Sequence, residues 1–106
     1  RDWGWAEEYV EAIQIINRAE NLKDQIICTG ELNKLQTFVE KVFIKLDLNW
    51  RDHVRSDQRL FRKRDIKKSF GDPTQLEKDL KWKAKFNLDQ IIDNLIADKI
   101  NTSNSY

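Results

Sequence analysis

WAEEYVEAIQIINRA, residues 5–19, decides how this chain can fold. Ala6, Tyr9, Val10, Ile13 and Ile16 recur at intervals of three and four, which places them on one face of an α-helix. Ala12, Ile15 and Ala19 widen that stripe. A helix apolar over so much of its circumference needs cover on two sides. A chain of 106 residues has difficulty supplying it. The expectation is that this helix is repositioned in the isolated chain or pairs with another copy.

Downstream, NLKD (21–24) reads as a polar turn, and QIICTG (25–30) as a short strand ended by Gly30. Leu35, Phe38, Val39, Val42, Phe43 and Leu46 predict a second helix starting near Asn33, with Asn33 as cap and Gln36 completing a capping box. Residues 47–55 (DLNWRDHVR) are ambiguous, with Trp50 and Val54 candidates for a short strand. The basic stretch 56–69 reads as an extended segment or loop. GDPTQLEKDLKW (71–82) carries a helix start, with Asp72 as cap, Pro73 at the first helical position and Gln75 closing the box. Asn87 and Gln90 open a last helix whose buried face is Leu88, Ile91, Ile92, Leu95 and Ile96. The order predicts a mixed α/β fold, helix-rich with few short strands, over residues 1–100. Residues 101–106 are expected to form a flexible tail.

Nineteen Lys and Arg against 18 Asp and Glu leave a net charge of +1, so no global field draws the chain to nucleic acid or an anionic membrane. Cys28 is the one cysteine, which excludes an internal disulfide and a Cys-based zinc site. It reads as a small buried residue. His53 has no clustered Cys or His to form a metal site, and the four tryptophans read as core or interface residues. No long apolar run or signal pattern is present, and the expected location is cytoplasmic. The first residue is Arg1 rather than Met, which leaves a fragment, a processed product or a trimmed chain open.

RDWGWAEEYVEA (1–12), IICTGELNKLQTFVEKVF (26–43) and QRLFRKRDIKKSFGDPTQLEKDLKWKAKFNLDQIIDNLI (58–96) fall in one order and spacing. Together they resemble the C-terminal half of the GDP-mannose 4,6-dehydratases, which are extended short-chain dehydrogenase/reductases. The resemblance implies a substrate-binding lobe that clasps a GDP-sugar, while an N-terminal Rossmann domain binds NADP. In complete form such an enzyme is a lyase converting GDP-mannose to GDP-4-keto-6-deoxymannose: C4 is oxidised, water leaves across C5 and C6, and the hydride returns. A Tyr and a Lys four residues apart, a Ser or Thr and a Glu do that work in the Rossmann half. Here Ile13 stands four positions after Tyr9, and Gly4, Gly30 and Gly71 are too scattered for a phosphate loop. The Rossmann half is thus absent from this sequence. The segment is expected to be inactive, with no catalytic residue and no cofactor of its own.

By the same resemblance Arg1 and Arg62 stand at diphosphate-binding positions, and Asp65 where a Glu or Asp holds the ribose diol. The chemistry suits: a guanidinium bonds phosphate oxygens in a planar fork, and a carboxylate accepts two hydroxyl hydrogen bonds. The chain departs from the family pattern at Lys63 (usually Pro), Asp65 (usually Glu) and Trp5 (usually His). The stretch from Phe43 to Gln58 is also shorter than in many dehydratases. The corresponding lobe of another nucleotide-sugar epimerase therefore stays open. So does a non-catalytic module that self-associates through residues 5–19. Arg62 and Asp65 also read as part of a solvated basic loop, and Arg59, Lys63, Arg64, Lys67 and Lys68, with Phe61 and Phe70 interleaved, as a minor nucleic-acid-binding alternative that no nucleic-acid motif accompanies.

Overall fold

The computed structural model describes residues 1–104, the side chain of Asn104 excepted. Among the described residues four α-helices follow one another: α1 (Ala6–Arg18), α2 (Leu35–Lys45), α3 (Thr74–Leu80) and α4 (Leu88–Asn104). Single 3-10 turns lie at Trp50–Asp52 and Gln58–Leu60. Among the described residues there is no strand, so the helix-rich expectation holds and the strand expectations do not. Residues 25–30 form neither helix nor strand. The N–H groups of Thr29 and Gly30 go instead to the Asp2 carboxylate. Trp50 starts a 3-10 turn closed by the His53 N–H on the Trp50 carbonyl at 3.1 Å.

Local chemistry sets the helix ends. Asn87 and Gln90 form the expected reciprocal box, each side-chain oxygen accepting the other's N–H at 2.9 Å. The Asp72 carboxylate accepts the Thr74 N–H at 3.0 Å and so caps α3, although Gln75 bonds the Asp24 carbonyl rather than closing a box. Lys81, at φ 58°, takes the left-handed conformation that ends α3. Before α2 the capping expectation fails. The helix starts two residues after Asn33, with no side-chain cap, and Gln36 bonds Glu40. Asn33 is held elsewhere: its N–H donates to the Arg1 carbonyl at 2.9 Å, and its own carbonyl accepts from the Arg1 nitrogen at 2.8 Å. The tail expected from residue 101 is helical as far as Asn104, and Ser105 and Tyr106 lie outside the described residues.

The core is small. Ala12, Leu76 and Trp82 are buried together, with Tyr9, Ile15, Ile16, Ile27, Leu80 and Ala84 packed around them. Tyr9 meets Trp82 edge-on with centroids 6.1 Å apart. Buried Glu8 accepts the Lys85 and Phe86 N–H groups at 2.8 and 3.1 Å, joining α1 to the α3–α4 connection. Leu88, Ile91 and Ile92 are buried on α4, which lies against α2. Lys41 pairs with Asp89 at 3.0 Å and Lys45 with Asp93 at 2.7 Å between those helices.

Helix α1 is covered on one side only. Ala12 is fully buried, whereas Val10 and Ile13 are 54% and 49% exposed. Those two project about 100° or more round the helix from Ala12. The molecule is correspondingly open. Its radius of gyration is 17.0 Å, against about 13 Å for an ordinary domain of this length. Its accessible surface is 9068 Å², where a folded monomer of this mass exposes about 6,200 Å². Among the described residues no helix is long and apolar enough to cross a membrane.

Candidate functional site

The segment ahead of α1 runs between two loops and holds both. Asp2 carries most of this. One carboxylate oxygen, Oδ1, accepts the Thr29 N–H at 3.1 Å and the Thr29 hydroxyl, while Oδ2 accepts the Gly30 N–H at 2.9 Å and the Gly71 N–H at 3.3 Å. Burial pushes the Asp2 carboxyl up, but these four donors outweigh it and hold it below the usual carboxylate range. Two glycines fit the junction closely. A Cβ on Gly71 would stand 2.6 Å from Cys28 Sγ, and Gly30, at φ 81°, leaves no room beside the Pro73 ring. Burial and the nearby Asp2 charge raise the Cys28 thiol. Burial first, then Asp2, Cys28 and Glu8, push the Tyr9 phenol up to about 12.

Asp2 thereby fixes its neighbour Arg1. The Arg1 guanidinium donates to the Asp65 carboxylate at 3.1 Å and to the Ile66 carbonyl at 2.6 Å. These residues form one wall of a concave site of about 640 Å³, whose other walls include Trp3, Leu32, Asn33, Lys34 and Leu35. Lys67 and Lys68 also line it. The site therefore combines a guanidinium, a carboxylate and further cations with an apolar, partly aromatic floor, where Trp3 packs on Phe38 with centroids 5.0 Å apart. A volume of that size is typical of small-molecule sites.

Of the residues singled out in the sequence, the structure brings Arg1 and Asp65 together, 64 positions apart. Arg62 is exposed, makes no hydrogen bond or ion pair with a described residue, and does not line the cavity. Trp3, Lys34, Lys67 and Lys68 line it and were not among the sequence candidates. No local signal marks them, because their proximity arises from contacts between distant segments.

A sequence profile described as GDP-mannose 4,6 dehydratase matches residues 1–95. The chain belongs to this family. Its dehydratase relatives include GDP-mannose 4,6 dehydratase 1 of Arabidopsis thaliana, 31% identical over 94% of this chain and 28% of the relative. The Dictyostelium discoideum GDP-mannose 4,6 dehydratase is 29% identical over 94% of this chain and 33% of its own length, and the Homo sapiens protein 27% over 91% and 30%. The chain thus spans about a third or less of these dehydratases. The NADP that the family resemblance implies does not fit the residues present. Gly4, Gly30 and Gly71 lie in separate loops, against Tyr9, Pro73 and Cys28 respectively, and none forms a cradle for a dinucleotide phosphate.

Proposed function

We propose that this chain is the GDP-sugar-binding C-terminal lobe of a GDP-mannose 4,6-dehydratase of the extended short-chain dehydrogenase/reductase type. The observation that carries the reading is the Arg1–Asp65 pair set into a cavity of small-molecule size. Arg1 offers its fork to the diphosphate, Asp65 accepts from the ribose diol, and the Trp3 side of the cavity takes an apolar or ring portion of the ligand. Pairing with Asp65 keeps Arg1 positioned while the site is empty. A diphosphate must then share or displace that pairing, at little cost, because the exposed pair is worth roughly 0–1 kcal/mol. Arg62, assigned to the diphosphate by resemblance, lies a few residues upstream in the Asp65 loop. Nuclear magnetic resonance titration with GDP tests the reading. Amides of residues 33–35 and 65–68 should shift, and no shift at millimolar GDP refutes it.

A second reading is favoured by the uncovered face of α1 and by the large accessible surface. In it the chain is a non-catalytic module that associates with a further copy or a partner through Val10 and Ile13. Light scattering across a wide concentration range separates the two. A strict monomer in which Ile13→Glu leaves the size unchanged removes self-association.

A further inference from the structure

Helix α1 leaves a regular face bare. Its eight exposed residues occupy one continuous arc of about 160°, on the far side from buried Glu8 and Ala12. Ala6, Val10, Ile13 and Asn17 run along one half of that arc at intervals of four, three and four, the spacing of a seam between two helices. Glu7, Glu11, Gln14 and Arg18 run along the other half. This second strip is acidic towards its start and basic at its end. Glu7, Glu11 and Arg18 make no ion pair with a described residue. Glu7 and Arg18 stand at opposite ends of the helix, about 16 Å apart along its axis, so they cannot meet within one copy. The chain also exposes 9068 Å², and the excess over an ordinary monomer of this mass is larger than the roughly 800 Å² per partner that a standard interface buries.

We propose that α1 pairs antiparallel with α1 of a second copy of this chain, about a two-fold axis level with the Glu11–Ala12 peptide. The proposal rests on the self-association reading above and names its partner and its geometry. About that axis Val10 faces Ile13 of the other copy, and Ala6 faces Asn17. The charged strip meets itself reversed. Glu7 of one copy comes level with Arg18 of the other to within about 3 Å along the axis, and Glu11 with Gln14 likewise, each pairing occurring twice by symmetry. A parallel pair would set the two strips on opposite edges of the seam, out of each other's reach. Antiparallel helices also place the positive end of each dipole beside the negative end of its partner's. Such an isologous contact closes on itself, so it yields a dimer and no larger assembly.

Sedimentation equilibrium of the full 106-residue chain in low salt tests this. Wild type is compared with Glu7→Lys, Arg18→Glu, those two combined, and Ile13→Glu. All three positions are exposed, so folding should be retained, and circular dichroism checks it. Wild type should pass from monomer to dimer between about 10 μM and 1 mM. Each single reversal turns two attractions into two repulsions and should weaken the dimer about tenfold. The combined variant exchanges the partners' signs and should return to within about threefold of wild type. Ile13→Glu sets like charges into the seam and should abolish the dimer over this range. Dimers lost in Ile13→Glu but indifferent to the reversals overturn the antiparallel geometry and keep self-association through α1. Single reversals that weaken the dimer without recovery in the combined variant overturn the geometry as well. A wild type monomeric throughout, or dimers that survive Ile13→Glu, overturn both. None of these outcomes bears on the GDP titration, which tests the nucleotide-sugar reading separately.

Discussion

Replacing Asp2 by Asn tests the junction on which the cavity depends. The wild-type carboxylate accepts four hydrogen bonds, two on each oxygen. Asparagine keeps one accepting oxygen and substitutes an NH₂ group that cannot accept from an N–H. If its oxygen stays with Thr29, the N–H groups of Gly30 and Gly71 face a donor. Each half-buried N–H left unpaired costs about 1–2 kcal/mol, and the substitution about 2–4 kcal/mol in all. An ordinary domain has roughly 5–15 kcal/mol of stability, and the small core here leaves little reserve. With a urea m-value of about 1–2 kcal/mol/M, the unfolding midpoint should fall by about 1–4 M. Acid supplies an internal control. The folded Asp2 pKa lies below the ordinary value of 3.8, so its contribution is present above that pH and is lost as pH falls through the lower folded value. The difference between wild type and Asp2→Asn should therefore shrink below about pH 4, because a protonated Asp is also a poorer acceptor. A midpoint change worth less than about 0.5 kcal/mol at pH 7, or a difference that persists unchanged into acid, refutes the reasoning.

Three further outcomes follow from the packing. Leu76 is 1% exposed at the centre of the core, so Leu76→Ala should cost about 3 kcal/mol in urea unfolding, transfer and cavity together. Gly71→Ala drives a Cβ into Cys28; a loss of about 1–3 kcal/mol is expected, and adding Cys28→Ala should recover part of it. In an absorbance titration Tyr9 should resist ionisation until about pH 12. Its neutral form is favoured by folding, so stability should decline as pH rises from the ordinary tyrosine value towards that point, and the Tyr9→Phe variant should lack that decline.

Helix positions were legible because their causes are local. A stripe at three-and-four spacing, Asn87 with Gln90, and Asp72 ahead of Thr74 each involve residues within a few positions; the structure shows both capping pairs in use, while the α1 stripe marked the helix but not its buried face, since Val10 and Ile13 are exposed. The same logic misplaced Asn33. Its local capping chance lost to a backbone partner far away at Arg1. The widened α1 stripe foretold incomplete cover, but which side would be covered depended on where Trp82 and Leu76 arrive. The side they cover is the one bearing Ala12 and Ile15.

What the amino-acid order determined by itself is therefore the set of helices, most of their ends, the family membership carried by three ordered segments, and the charges available for binding. Tertiary structure alone decided that residues 25–30 would satisfy their N–H groups on a carboxylate rather than in a sheet, that Arg1 would meet Asp65, and that three lysines rather than Arg62 would line the cavity. The physical reason is range. Periodicity and capping act over one or two turns, whereas a buried donor takes whichever acceptor the folded chain brings within about 3 Å, and that acceptor here stands up to 78 residues away.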